Sequence, residues 1–210
     1  MLRQREGNTL ANPAVFHYDP AVRSDPELLE SWRGGDAQAG QELVQRHWSS
    51  IAGFFRSKVG DDGADLISQT FLACVEGRDR IDNVQAYLFA VARRRLADHF
   101  RTRLRMPAVD LSVSSLTDLR TGPATELGRR EQAELLRRAL SAIPLDDQIA
   151  LELSYFEGLP GAAIARVLEI GENTVRSRLA RAREKLRLAL AELAPADEAA
   201  RAEAQLEEKC

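Results

Sequence analysis

Val84, Leu88, Ala92, Leu96 and Phe100 recur at every fourth position, with Tyr87 and Val91 on the flanks. Spacings of three and four place side chains on one face of an α-helix, whereas a half-buried strand would alternate. Off that stripe lie most of the basic residues Arg93, Arg94, Arg95, Arg101, Arg103 and Arg105, against the single acid Asp98. Such a segment is an amphipathic helix with a basic outer face, and its apolar seam has to be buried against other helices. The design recurs further along. Val175, Leu179, Ala182, Leu186 and Leu190 share one side, while Arg176, Ser177, Arg181 and Lys185 point elsewhere. Between Arg176 and Arg187, six basic residues face only Glu184.

The remaining periodicity is helical too. The spacing predicts helices over 25–33, 36–59, 63–77 and 83–104, separated by Gly34-Gly35, by Gly60 to Gly63 and by Gly77 to Asn83. Ser24, Pro26 and Glu27 form a helix start, with a capping hydroxyl, an early proline and an acid three residues on. Pro107, Gly122, Pro123 and a Ser/Thr cluster mark a linker over 106–125. Helical pattern resumes near Glu126, breaks at Pro144, and runs from Asp146 to Glu157. It breaks again at Gly158, runs from Pro160 to Glu169, turns at Ile170-Gly171, and ends with a long helix from Glu172 to Leu193. No strand alternation or hairpin turn is legible. The expected fold is all-α: two helical domains joined by a flexible linker, over 25–105 and 126–193. Residues 1–24 form a loose N-terminal arm and 194–210 an acidic C-terminal tail.

Composition narrows the function. With 44% hydrophobic and 29% charged residues, the chain is globular rather than disordered. Two domains in 210 residues each bury only a modest core. No stretch approaches the roughly 20 apolar residues that span a bilayer, and Met1 to Asn12 lacks a signal-like apolar run. A cytoplasmic protein without membrane insertion is expected. Cys74 lies in an apolar helical pattern and reads as a small buried hydrophobe, and Cys210 as an exposed free thiol. Trp32 and Trp48 read as core. His17, His47 and His99 lack the companions of a metal site and read as structural or exposed. There is no Gly-rich phosphate loop, HExxH or nucleophile elbow, so neither an enzyme nor a metal or other cofactor is expected.

The net charge of −3 argues against a nucleic-acid binder, but its distribution argues the other way. Phosphate attraction is screened within about 10 Å, so concentrated basic segments act locally on an acidic body. Leu159 to Leu186 also has helix-turn-helix grammar. A short helix turns Ile164, Ala165 and Leu168 inward; a tight turn follows; a second helix then keeps one apolar side and one polar side, as a major-groove reader requires. On periodicity and charge alone, a recognition helix and a bundle helix with a solvated basic face fit equally.

The literal residues say more. Tyr155 to Leu159, Ile164-Ala165, Thr174-Val175-Arg176-Ser177-Arg178-Leu179 and Arg181-Ala182-Arg183-Glu184-Lys185-Leu186 resemble region 4 of the extracytoplasmic-function (ECF) sigma factors. Ala64 to Leu72 and Ala86 to Phe100 resemble two helices of region 2 in the same sigma-70 family. The resemblance implies a factor that binds core RNA polymerase and directs promoter recognition, strand opening and transcription initiation. It implies that Thr174, Arg176, Ser177, Arg181, Arg183 and Lys185 meet the −35 element. Arg78, Asn83, Arg93, Arg94 and Arg101 would hold the opened −10 strand. Asp65, Gln69 and Thr70 would contact the β′ clamp helices of the polymerase, and the C-terminal domain the β flap. Partners would be the polymerase and promoter DNA, with room for an anti-sigma factor. The rival reading is a stand-alone helix-turn-helix regulator that never engages polymerase.

Several positions depart from the family's habit. Ala163 stands where Glu is usual, Glu169 where Gly is usual, Asn173 where Gly is common, and Ala180 where a larger side chain is frequent. Arg94 replaces the usual Asn, and Tyr87 and Val75 stand where Trp is common. A turn lacking its glycine strains any other residue placed at positive φ, and Gly171 is the expected relief.

Overall fold

The computed structural model describes residues 23–104, Leu111 and residues 131–193, with only the backbone at position 61 and at 131–134. The expected arm (save positions 23 and 24), most of the linker, the helical start near Glu126 and the acidic tail with Cys210 lie outside the described residues.

All regular structure among the described residues is helical, in two groups. The first holds α1 (Asp25–Arg33), α2 (Ala37–Val59), α3 (Gly63–Gly77) and α4 (Val84–Leu104). The second holds α5 (Glu131–Ala142), α6 (Leu145–Tyr155), α7 (Gly161–Leu168) and α8 (Glu172–Leu193). Short 3-10 turns at Gly60–Asp62 and Arg78–Arg80 lead into α3 and α4.

Local chemistry fixes the helix starts. The Glu27 carboxylate accepts from both the Ser24 amide and the Ser24 hydroxyl, each at 2.7 Å. The Asp36 side chain caps α2 by accepting from the amides of Gln38 and Ala39, a bond that contributes about 1 kcal/mol. Asn83 does the same for α4, its Oδ1 accepting from the Ala86 amide at 2.8 Å. Gly40 lets α1 and α2 close up: a Cβ there would stand 2.5 Å from the Trp32 ring.

Packing of the first group follows the predicted stripe. Val84, Leu88, Ala92, Leu96 and Phe100 are all buried, against Leu43, Ile51, Phe54, Phe55, Leu66 and Phe71 from α2 and α3. Each such large apolar side chain contributes about 1.5–3 kcal/mol by leaving water. Cys74 is buried as expected, and burial pushes its thiol up to about 11. Trp48 departs from expectation. It is 49% exposed and lies flat on Phe71, with centroids 5.4 Å apart and planes 13° from parallel. It covers the core from outside, because its position on α2 falls beside the inward row Leu43, His47, Ile51 and Phe55 and not on it.

The cores are not separate. A single apolar cluster runs from α1–α4 into Leu145, Ile149 and Leu153 of α6, Ala163, Ile164, Val167 and Leu168 of α7, and Val175 of α8. Leu111 joins it from between the groups, its carbonyl accepting from the Asp146 amide at 2.8 Å. A second cluster, with Leu135, Ala139, Leu151, Ala182, Leu186 and Leu190, ties α5 and α6 to α8. Sharing answers the size problem: two small groups bury together what neither can bury alone.

Candidate nucleic-acid and polymerase interfaces

Helices α7 and α8 meet at a tight turn. Val175, Ala182, Leu186 and Leu190 are buried, with Leu179 partly so. Thr174, Arg176, Ser177, Arg181, Arg183 and Lys185 are all exposed. Thr174, Ser177 and Arg181, at spacings of three and four, line one flank of the open face; Arg176 and Arg183, two turns apart, line the other. The Ser177 hydroxyl donates to the Thr174 carbonyl at 2.9 Å. Lys185 is anchored rather than loose, its Nζ 2.6 Å from the Asp147 carboxylate, which also accepts from Arg178 at 3.3 Å. Asp147 is only 4% exposed and sits in the first turn of α6, where the helix dipole favours a negative charge. Asp147 thus fixes how α8 is presented.

Glu169 ends α7 in the left-handed conformation (φ 57°, ψ 41°) and is the sole non-glycine residue at positive φ among the described residues. The expected relief by Gly171 is not what the structure does. The αL position falls at the residue straight after α7, so Glu169 itself takes up a conformation that costs about 1–2 kcal/mol.

In α4 the basic residues are less free. The Arg93 Nε and Nη2 donate to both oxygens of Asp146 at 2.7 and 2.9 Å. Its side chain is 16% exposed and that of Asp146 5%. Arg94 lies 3.7 Å from Glu169, and Arg101 pairs with Asp98 in its own helix. The Arg78–Asn83 loop is shaped from within: Arg33 donates to the carbonyls of Arg78 and Ile81 at 3.1 and 2.5 Å. Arg78 lies over the Trp32 ring, and Asn83 serves as the cap of α4. At the end of α4, burial and the nearby Arg103 hold His99 below its ordinary value.

On α3, Asp65 and Gln69 share an open face, the Gln69 amide donating to the Asp65 carboxylate at 2.5 Å. Leu72 and Val75 continue that face, 56% and 42% exposed. Thr70 lies on the opposite side, fully buried, its hydroxyl donating to the Leu66 carbonyl at 2.7 Å. Between α3 and α4 a cleft of about 620 Å³ is lined by Asp65, Gln69, Arg95, Asp98, His99 and Arg103, among others.

Sequence reasoning missed Arg33, Lys58, Asp146 and Asp147. Lys58 was detectable: it continues the inward row of α2 through Phe54 and Phe55, and a lysine on an apolar row needs a buried partner. Asp146 and Asp147 lie in the first turn of α6, where acids are ordinary, and nothing local marks their distant partners. No group of three or more His, Cys, Asp or Glu that could hold a metal occurs among the described residues. No described helix is long and apolar enough to cross a membrane.

Comparison with known proteins decides what these surfaces belong to. Residues 133–186 match the pattern described as "Sigma-70, region 4". The ECF RNA polymerase sigma factor SigM of Mycobacterium tuberculosis (strain H37Rv) is 30% identical over 187 residues, covering 83% of this chain and 92% of SigM. The chain belongs to the ECF RNA polymerase sigma factors. RNA polymerase sigma factor NccH of Alcaligenes xylosoxydans xylosoxydans is 29% identical over 177 residues, covering 80% of this chain and 94% of NccH. The fold of this ECF sigma factor matches that of RpoE from Bartonella quintana, solved with the anti-sigma factor NepR (TM-score 0.55, 21% identity, 71% of this chain and 95% of that one). It likewise matches CnrH, solved with the cytosolic domain of CnrY (TM-score 0.57, 22% identity, 79% and 96%). The likeness to SigM and NccH extends over both helical groups, so the stand-alone regulator reading lapses. As a sigma factor the protein serves transcription initiation and is not itself an enzyme.

Proposed function

We propose that this ECF sigma factor divides its work between its two helical groups, with 25–105 as region 2, 106–125 as the linker and 126–193 as region 4. The second reads the −35 element through Arg176, Ser177 and Arg181 of α8, with Thr174, Arg183 and Lys185 near the phosphates. Arginine donors can read guanine edges in pairs, and Arg and Lys together clamp backbone oxygens. The observation that carries this is the open, basic face of α8 above an apolar seam in which Val175, Ala182, Leu186 and Leu190 are buried.

The first group meets core polymerase through α3. Asp65 and Gln69 supply polar contacts beside the exposed Leu72 and Val75, and buried Thr70 holds the helix from beneath. The opened −10 strand is held by Arg93, Arg94 and Arg101 as phosphate clamps, with Arg78 and Asn83 at the preceding loop, since a basic groove suits single strands. The β′ clamp helices, the β flap, promoter DNA and an anti-sigma factor are its partners. The last is favoured by the complexes that RpoE and CnrH form, and the setting is the cytoplasm.

Transcription from a cognate promoter with core polymerase tests the whole. Product is expected with the wild-type chain. Asp65→Ala with Gln69→Ala should reduce core binding, while Arg176→Ala should reduce −35 binding and leave core binding intact. Absence of any affinity for core polymerase would overturn the proposal.

A further inference from the structure

Thr174, Ser177 and Arg181 run along one flank of the open face of α8, and Lys185 continues that row one turn beyond Arg181. Lys185 differs from the rest of the row in having a fixed partner. Its Nζ lies 2.6 Å from one carboxylate oxygen of Asp147 in α6. The other oxygen of Asp147 accepts from Arg178 at 3.3 Å. Glu184, next to Lys185 in the chain, is already paired with Arg187 at 2.7 Å. The charge of Lys185 is therefore answered by Asp147.

This is not an ordinary surface ion pair. The side chain of Lys185 is 45% exposed, but that of Asp147 only 6%. The exposed end is screened by water and salt, while the shielded end resists parting. A phosphate that drew Lys185 away would leave a buried carboxylate oxygen without its donor, which is unfavourable. The first turn of α6 favours the negative charge at that place. Arg178 stays put in either case, since it also lies 3.9 Å from Asp146 and is itself shielded.

An unpaired lysine on a DNA-facing row would neutralise a phosphate, and such contacts raise affinity for every sequence alike. We propose that Asp147 is a positioning residue of the −35 reader: it keeps Lys185 from neutralising a phosphate and so lowers the sequence-independent affinity of α8 for DNA. This rests on the reading of α8 as the −35 helix and refines it, for Lys185 lies near the phosphates with its charge already taken. Arg176, Ser177 and Arg181, the base-reading residues, then carry a larger share of the binding.

The test uses the full chain in four forms: wild type, Asp147→Asn, Lys185→Gln, and both substitutions together. Glu192→Gln, an exposed acid further along α8, is the charge-matched control. The probes are a short duplex that the wild-type chain enriches from a randomised pool and the same duplex with its bases shuffled. Affinity is followed against salt, because the slope counts neutralised phosphates. Asp147→Asn should bind both duplexes more tightly at low salt, with a slope steeper by about 0.9, one phosphate contact. Its advantage over wild type should then shrink about threefold when salt is raised about fourfold. Lys185→Gln should remove that whole increment beside Asp147→Asn, and less than half as much in the wild-type chain. Asp147→Glu, which keeps the charge, should restore the wild-type slope.

A purely structural Asp147 would lower the melting temperature and weaken binding without steepening the slope. An unchanged or flatter slope in Asp147→Asn, or an equal rise in Glu192→Gln, overturns the proposal. Should Asp147→Asn fail to fold, Lys185→Gln in the wild-type chain decides: loss of a full contact from its slope overturns the proposal, and loss of less than half supports it. Arg176→Ala separates the underlying reading. If it leaves the preference for the enriched duplex intact, the −35 assignment fails, whereas the salt slopes still decide whether Asp147 masks Lys185.

Discussion

Helices α4 and α8 carry the same design in the sequence, an apolar seam with arginines off it, yet they end in opposite situations. On α8 the off-seam residues Arg176, Arg181 and Arg183 stand open to solvent. On α4 Arg93 is shielded and bound to an acid 53 positions away in the chain. The difference teaches that a basic face is a free surface only if nothing distant folds back over it. At α8 the facing acid, Asp147 of α6, takes Arg178 and Lys185 at the flank and leaves the outer face clear.

Four measurements can break or sharpen that contrast. The largest effect is expected at the joint. Lys58→Met leaves Glu152 without its partner, and breaking a buried pair costs about 3–5 kcal/mol. Calorimetry should then show the two helical groups melting separately; a single unshifted transition would mean that Lys58 contributes nothing to docking. On the open side, Arg176→Ala should weaken binding to −35 duplex by about 1–3 kcal/mol with an unchanged melting temperature, and Arg94→Ala should leave that duplex binding untouched.

A smaller effect is expected at Asp25, the first residue of α1, whose carboxylate bonds to Arg46 and His47 of α2. Burial opposes its ionisation, but hydrogen bonds and charge from His47 (2.6 Å) and Arg46 (2.8 Å) prevail and hold it below the usual carboxylate value. A carboxylate depressed on folding stabilises above its unfolded pKa, and that stabilisation fades as pH falls through the folded value. Asp25→Asn should therefore cost about 1–2 kcal/mol at neutral pH, and the gap to wild type should close in urea titrations at pH below the carboxylate range. The smallest effect is a gain. Glu169→Gly relieves the left-handed strain and should raise stability by about 1 kcal/mol; a loss would show that its contacts with Arg93 and Arg94 outweigh the backbone.

Much of this was legible in advance. The bounds of α1, α3 and α8 match the spacing, and α2, α4, α6 and α7 follow within a few residues, because seam periodicity, Asp36, Asn83 and the glycine breaks are all local signals. The family followed from the literal run of residues in α8. Trp48 was misjudged because aromatic character suggests burial, while the position of a ring beside or on the inward row depends on packing. The strain at Glu169 was anticipated as a class, but its placement needed the turn itself.

The sequence by itself determined that the chain is helical, where its helices lie, and which residues on each have an apolar seam beneath them, since these depend on neighbours within a turn or two. Only the tertiary structure decided which charges stay available. Arg93 meets Asp146, Lys58 meets Glu152 and Arg94 meets Glu169 across separations that no local period encodes. Whether an ionic group faces water or a partner is settled by the fold of the whole chain, because electrostatic pairing depends on distance in space and on shielding from solvent.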